Sequence, residues 1–265
     1  MTESLRVQPP SKGEIEARFR SPAVVALRPA ILGGIRALRI ARQFGWTAEG
    51  LELVRCDDAP LIFAANHASH ADTAAVLGTL PNGLRRRTCV AAALDVFGRT
   101  SDPRLLRVVR RECLQIIVAA GFRAFAFDRH GPPLRSVRTA AELTRAGWNL
   151  LLFPEGTRSR TGDMGSFKAG VGILARKTGR PVVPVHVGGG SSILPCGAFM
   201  PQPGHAVVRY GSALRFQSGE TASSFAERLR QRVCALAASP DEETARAPVE
   251  APGDLPVVCP QQRSA

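Results

Sequence analysis

A chain of 265 residues, 45% hydrophobic and 22% charged, has enough apolar sequence for a sizeable core, which excludes fibrous and wholly disordered readings. Its charge is lopsided: 35 Lys and Arg face 22 Asp and Glu for a net charge of +13. Lysine occurs only at Lys12, Lys168 and Lys177, so the excess is nearly all guanidinium. That suits a polyanionic partner such as anionic lipid, nucleic acid or a phosphorylated substrate, although a preference for Arg codons would leave the same mark.

The N-terminal stretch to about Arg20 is polar and mixed in charge. From Ser21 to Trp46 an apolar segment punctuated by Arg28, Arg36, Arg39 and Arg42 predicts an amphipathic helix. The four arginines lie on one half and Ala37, Leu38, Ile40, Ala41 and Phe44 on the other, with Gly33-Gly34 expected to break the helix in two. Such a segment can lie in a bilayer interface with its charges snorkelling to the headgroups, or pack on its own domain; both stay open. No apolar run reaches the roughly 18 residues of a membrane span and no signal-peptide core leads the chain, so contact with lipid is expected to be peripheral.

From Leu51 onward, β-prone runs at Leu51–Cys56, Leu61–Ala65, Thr88–Ala92, Ala124–Asp128, Asn149–Phe153, Pro181–Val187 and Ala206–Tyr210 alternate with helical patterns. The helices are expected at Ala71–Leu80, Pro103–Arg111, Leu134–Ala146, Lys168–Thr178 and Thr221–Ala238. The alternation predicts an α/β fold: a mostly parallel or mixed central sheet flanked by helices, with the N-terminal amphipathic helical segment, residues 1–46, ahead of the α/β domain over 47–238. Leu61–Ala65 and Leu150–Phe153 are continuously apolar, as strands covered on both faces are, and are expected at the centre. After Ser239, prolines among charged and small residues predict a disordered tail over 239–265. Six cysteines, Cys56, Cys89, Cys113, Cys196, Cys234 and Cys259, form no C-x-x-C pair, which argues against a zinc knuckle or disulfide framework and fits a reducing cytosol.

The strand at Leu61–Ala65 runs into Asn66-His67-Ala68-Ser69-His70-Ala71-Asp72, at the strand-to-helix turn where open α/β sheets place their sites. On an unbroken helix His67 and Asp72 would lie about 140° apart, too far round to touch. Ser-x-x-Asp before an apolar run is a capping pattern, so Ser69 and Asp72 are expected to open the helix, leaving His67 on the loop and folded back toward Asp72. A carboxylate on one ring nitrogen fixes the tautomer and leaves the other as a general base; the alternative is a helix cap beside a loop histidine. His67, His70 and Asp72 fit no zinc signature. A second strand end carries Pro154-Glu155-Gly156-Thr157-Arg158-Ser159-Arg160, a loop with a forked cation, hydroxyls and a glycine that suits a phosphate.

These two blocks together resemble the glycerolipid acyltransferase family, of the 1-acylglycerol-3-phosphate acyltransferase type, whose first block is Asn-His-x4-Asp and whose third is Phe-Pro-Glu-Gly-Thr-Arg-Ser. Asn66-His67 with Asp72, and Phe153 to Ser159, match both in order and strand-end placement, and the similarity covers roughly Trp46 to Leu236. The second block is matched in part, by Arg123-Ala124-Phe125-Ala126-Phe127-Asp128-Arg129. The fourth appears as Val182-Val183-Pro184-Val185-His186, and Phe167-Lys168-Ala169-Gly170 resembles a Phe-Lys-x-Gly at the next helix start. The resemblance implies that His67 is the general base on the acceptor hydroxyl, that Asp72 orients it, and that the hydroxyl attacks an acyl thioester without a covalent acyl-enzyme. The absence of a G-x-S-x-G elbow is consistent with this. It further implies that Asn66, Arg129, Glu155, Gly156, Thr157, Arg158 and Lys168 bind the acceptor, with Gly156 or its neighbouring backbone as a candidate oxyanion donor.

No cofactor is expected beyond acyl-CoA or acyl-ACP (acyl carrier protein) as co-substrate, and no metal. The implied product is phosphatidic acid from lysophosphatidic acid, made on the cytoplasmic face of an anionic membrane surface. The partial second block keeps another acceptor open, a lyso-aminolipid or lysophosphatidylethanolamine. With only 6% aromatic residues the chain offers few stacking platforms, and nucleic acid is not an expected partner. Gly188-Gly189-Gly190-Ser191-Ser192 is expected to be a flexible loop. Arg104, Arg107, Arg110 and Arg111, with the Arg85-Arg86-Arg87 triplet, are read as solvated basic faces, and His130, His186 and His205 as structural.

Overall fold

The computed structural model describes residues 11–54, 60–93, 120–127, 133–159, 163–195, 198 and 200–238. Two helices lead, α1 (Lys12–Arg20) and α2 (Pro22–Arg42), followed by β1 (Phe44–Glu49), a 3-10 turn at Leu51–Leu53, β2 (Ile62–Ala65), α3 (Ala71–Thr79), α4 (Asn82–Arg86) and β3 (Thr88–Ala93). Then come β4 (Ala124–Phe127), α5 (Pro133–Arg145), β5 (Asn149–Leu152), α6 (Gly170–Thr178), β6 (Val182–Gly188), α7 (Gly190–Ile193), β7 (Gly204–Tyr210) and α8 (Ala222–Ala237).

The strands form one seven-stranded sheet in the order β1-β7-β6-β2-β5-β3-β4. All neighbours are parallel except β6 and β7, which run antiparallel. The sheet is thus mostly parallel with one reversal, as the alternation of strand and helix patterns predicts. β2, β5 and β6 lie side by side at the centre, and every residue of β2 and β5 is buried. Side chains alternate between two cores: Ile62, Ala64, Leu150 and Leu152 meet α1, α5, α6 and α8 on one face, while Phe63, Ala65, Leu151 and Val183 meet α3 on the other. Tyr210, fully buried, ties β7 to α3 through its hydroxyl, 2.7 Å from Thr79 Oγ1 and 3.2 Å from the Val76 carbonyl. Burial pushes that phenol well above its ordinary pKa.

Three expectations fail in the N-terminal third. The strand at Leu51–Cys56 is instead displaced to Phe44–Glu49, inside the stretch expected to be helical, and Leu51–Leu53 forms a 3-10 turn. The helix ends early because Gln43 takes a left-handed conformation, φ 50°, and its N–H reaches back to the carbonyls of Arg39 and Ile40; β1 then pairs with β7, far along the chain, in the register Glu49 to Arg209. Gly33-Gly34 does not break α2, which runs unbroken for 21 residues, past Pro29 as well. The polar first segment contains α1, started by a reciprocal cap between Ser11 and Glu14 and held by the buried Ile15 and Phe19. The expected helix at Pro103–Arg111 with its arginine stripe, His130 and the tail over 239–265 lie outside the described residues.

Candidate active site

Because β5, β2 and β6 are parallel neighbours, their C-terminal ends bring three loops together, starting at Phe153, Asn66 and Gly189. That end of an open parallel sheet is where backbone and helix termini converge on a ligand.

The loop after β2 folds back on itself. Asp72 Oδ2 accepts from His67 Nδ1 at 3.0 Å, Ala68 N–H at 2.8 Å and Ser69 N–H at 2.7 Å, and the aspartate is fully buried. His67 therefore sits on the loop, as the capping pattern predicts, but the cap has its own form. Helix α3 starts at Ala71, and the Ser69 hydroxyl accepts from Ala71 N–H at 3.1 Å while donating to the Leu194 carbonyl at 2.7 Å. The short reach from Ser69 to Asp72 lets one carboxylate oxygen gather two backbone donors and the ring together. A carboxylate can only accept, so Nδ1 carries the proton toward Asp72 and Nε2 presents its lone pair. Nε2 makes no hydrogen bond among the described residues, and the His67 side chain is 16% exposed.

The ring is clamped a second way. Phe153 stacks on it with centroids 3.9 Å apart and planes 20° from parallel. The loop after β5 also holds the histidine backbone: Ser159 N–H donates to the His67 carbonyl at 2.8 Å, and His67 N–H donates to Glu155 Oε1 at 2.8 Å. The other oxygen of Glu155 accepts from Gly165 N–H at 2.9 Å, and the carboxylate is buried. Glu155 thus points inward at two backbone donors. The Asn66 amide is likewise turned inward: it is buried and bracketed by Val187, donating to the carbonyl at 3.1 Å and accepting from the N–H at 2.7 Å. It ties the end of β2 to β6.

Two cations stand on the segments around Glu155 and Gly156. Arg158 is half-buried on the loop tied to His67, and Lys168 is exposed with its N–H on the Pro154 carbonyl at 2.9 Å. Neither side chain has an acidic partner among the described residues. Gly156, at φ +74°, lies under the Lys168 stem, where a Cβ would stand 2.9 Å from Nζ; only glycine allows both that turn and that approach. Its N–H donates to the Phe153 carbonyl at 3.0 Å. Thr157 is exposed beside Arg158, and Arg129 lies outside the described residues. Among the described residues no three His, Cys, Asp or Glu side chains gather to hold a metal.

The acyltransferase profile matches residues 45–188, more than half of the chain. The chain belongs to the acyltransferase family. This acyltransferase is 34% identical over 136 residues to a 1-acyl-sn-glycerol-3-phosphate acyltransferase of Pseudomonas aeruginosa, a match covering 48% of this chain and 51% of the other. Over 157 residues it is 27% identical to the chloroplastic 1-acyl-sn-glycerol-3-phosphate acyltransferase BAT2 of Brassica napus, covering 57% of this chain and 39% of that protein. It therefore spans about two fifths to one half of the length of these curated relatives. In fold it is similar to the crystal structure of the 1-acyl-sn-glycerophosphate (LPA) acyltransferase PlsC from Thermotoga maritima, with a TM-score of 0.57 at 23% identity over 84% of this chain and 86% of that one.

The structure of this acyltransferase also shows partners that sequence reading passes over. Phe153 and Ser159 stand at the two ends of the Phe-Pro-Glu block, and both hold His67; the block itself was the available signal. His186, four residues beyond Val182 on β6, reaches the same end of the sheet. Burial, and then the Arg209 guanidinium, push it down to about 4, with Asp72 pulling the other way. Its Nδ1 is buried without a hydrogen-bond partner among the described residues.

Proposed function

We propose that the chain transfers a fatty acyl group from a thioester donor, acyl-CoA or acyl-ACP, to the free hydroxyl of lysophosphatidic acid, giving phosphatidic acid. The observation that carries the reading is the His67 ring, fixed on one nitrogen by Asp72 at 3.0 Å and on its face by Phe153, with Nε2 unengaged among the described residues. The names of the relatives support the acceptor chosen.

The acceptor hydroxyl donates to Nε2, and its oxygen attacks the thioester carbonyl carbon as the proton passes to the ring. The imidazolium so formed faces the Asp72 carboxylate. Collapse of the tetrahedral adduct breaks the C–S bond, and the proton returns from Nε2 to the leaving thiolate, so the ring ends as it began. Stacking on Phe153 and the shared carboxylate remove the ring's rotational freedom before substrate arrives, which lowers the entropic cost of reaching the attack geometry. Arg158 and Lys168 hold the acceptor's phosphate, whose charge forked and point cations offset.

The reaction takes place at a membrane surface. Among the described residues no helix is long and apolar enough to cross a bilayer. Helix α2 carries four arginines and leaves Ile40 74% and Val25 58% exposed, which suits an interfacial contact with anionic lipid.

Purified protein incubated with mixed vesicles containing lysophosphatidic acid and a fatty acyl-CoA, or the same acyl chain on acyl carrier protein, is expected to release one thiol per phosphatidic acid formed. Acylation of lysophosphatidylethanolamine in preference would move the acceptor, and inertness of every lysolipid with both donors would overturn the reading.

A further inference from the structure

The glycine run after β6 is the part of the site that the functional reading leaves unused. Expected from sequence to be a flexible loop, it is instead a tight bend into α7, with Gly189 at φ +78° and Gly190 buried. This one segment touches three residues of the catalytic turn: Val187 brackets the Asn66 amide, the Leu194 carbonyl accepts from Ser69 Oγ at 2.7 Å, and Gly190 lies against Asp72. A Cβ on Gly190 would stand 2.1 Å from Asp72 Oδ1, 3.3 Å from Cγ and 3.6 Å from Ser69 Cβ. Oδ1 itself is buried and without a hydrogen-bond partner among the described residues.

We infer that Gly190 is a positioning residue for the His67–Asp72 pair: its bare Cα is the wall that turns the Asp72 carboxylate so that Oδ2 alone faces the ring. The inference rests on the proposed role of His67. A carboxylate rotates almost freely about its last bond, and its two oxygens are chemically equivalent until something distinguishes them. Here the difference is steric: Oδ1 is pressed against the Gly190 backbone, and Oδ2 meets the three donors at 2.7–3.0 Å. A methyl group at 190 leaves two escapes. The carboxylate can swing and lose its alignment with Nδ1, or the bend can retreat. Retreat is opposed because Ser69 Oγ holds the Leu194 carbonyl at 2.7 Å, Gln202 N–H holds the Ile193 carbonyl at 2.7 Å, and the Gly189 Cα lies so near the His205 carbonyl that a Cβ there would meet it at 2.3 Å. The carboxylate therefore moves, and with it the ring.

The test compares Gly190→Ala, Asp72→Ala and the double variant with Gly83→Ala, whose added methyl on α4 meets nothing within 4 Å. The ¹⁵N shifts of the His67 ring, read without substrate, report which nitrogen carries the proton. Gly190→Ala is expected to move them from a single Nδ1–H tautomer toward the mixture seen in Asp72→Ala, while Gly83→Ala leaves them in place. In the acyl-transfer assay kcat is expected to fall about 100-fold with KM little changed, since the methyl disturbs the base and leaves the acceptor's cations alone. In the Asp72→Ala background the same methyl is expected to cost less than about threefold, because its target is gone. Should Gly190→Ala alone not fold while the double variant does, the steric clash is supported by that rescue. Ring shifts and kcat matching those of Gly83→Ala, equal losses in both backgrounds, or failure of both Gly190 variants to fold would each overturn the inference. An inactive wild type would remove the acyl-transfer reading, yet the ring shifts would still judge Gly190.

Discussion

The turn around His67 and helix α2 solve opposite problems. In the turn, Asp72, Glu155, Asn66 and the Leu194 carbonyl hold the segment Asn66–Asp72 through six side chain to backbone bonds, three of them buried and three partly buried. In α2, 21 residues include no buried side chain, and only Ile35 and Leu38 rest on the sheet's core. The turn is built to fix one ring nitrogen to a fraction of an ångström, so backbone groups, which cannot change rotamer, serve as its anchors. The helix is built mainly as a surface: Arg28 and Arg39 are seated, on the Gly121 carbonyl at 3.2 Å and over the Trp46 ring at 4.2 Å, while Arg36, Arg42 and the aliphatic Val25, Leu27 and Ile40 face solvent.

The contrast predicts that breaking the turn's backbone anchors appears in catalysis and stability together, that removing the ring alone appears in catalysis only, and that damage in α2 appears in neither. His67→Ala, which removes the base while leaving the Asp72 cap on Ala68 and Ser69, is expected to lower kcat by about 10³-fold or more with an unchanged melting temperature. Glu155→Ala strands the buried N–H groups of His67 and Gly165. It is expected to cost about 3 kcal/mol in denaturant unfolding and to reduce kcat as well, because the loop after β5 then no longer fixes the His67 backbone. An activity loss without a stability loss in Glu155→Ala would mean that the carboxylate touches substrate after all.

His186 sharpens the same comparison through pH. Its folded value of about 4 lies below the ordinary 6.5, so the unfolded chain binds the proton first, and acid favours unfolding. Stability is therefore lost as pH falls from about 6.5 to about 4 and levels off below the folded value. The contribution is about 2 kcal/mol once solvent screening at this half-buried position is discounted from the full shift. His186→Gln is expected to flatten that part of the stability curve, measured as denaturant midpoints at pH 7 and pH 4.5 against the wild type.

How much of this was legible depended on whether the cause was local. The central strands were readable because Ile62 to Ala65 and Leu150 to Leu152 are apolar at every position, the mark of cover on both faces. The meeting of Asn66–Asp72 with Phe153–Ser159 followed, since two loops at the ends of parallel neighbours must adjoin. The fold-back of His67 was readable from Ser69 and Asp72, three residues apart. By contrast β1, Phe-Gly-Trp-Thr-Ala-Glu, lacks strand alternation and exists because β7 offers it an edge far along the chain. The bracing by Glu155 was not readable because nothing in the sequence says that Gly165 and His67 both aim an N–H at it. The glycines at 188–190 looked flexible because what crowds them lies elsewhere in the chain: the His205 carbonyl at Gly189 and, more than a hundred residues away, Asp72 Oδ1 at Gly190.

The smallest effect is expected where the helix is most exposed. Ile40, 74% exposed on α2, gives up almost no burial when changed to Ser, so Ile40→Ser is expected to shift unfolding by less than about 0.5 kcal/mol. If α2 is an interfacial surface, the same change removes an aliphatic side chain that enters the acyl boundary of a bilayer, worth about 1 kcal/mol when only part of it is submerged. Binding to vesicles rich in anionic lipid should then weaken about fivefold, while turnover on lysophosphatidic acid dispersed in detergent stays at the wild-type level. Equal vesicle binding by the two proteins would place the membrane contact elsewhere and leave α2 as a loosely seated arm of the domain. A fall in detergent turnover would instead show that α2 braces the sheet end beside Trp46, over whose ring Arg39 lies at 4.2 Å, and that the two regions are mechanically joined.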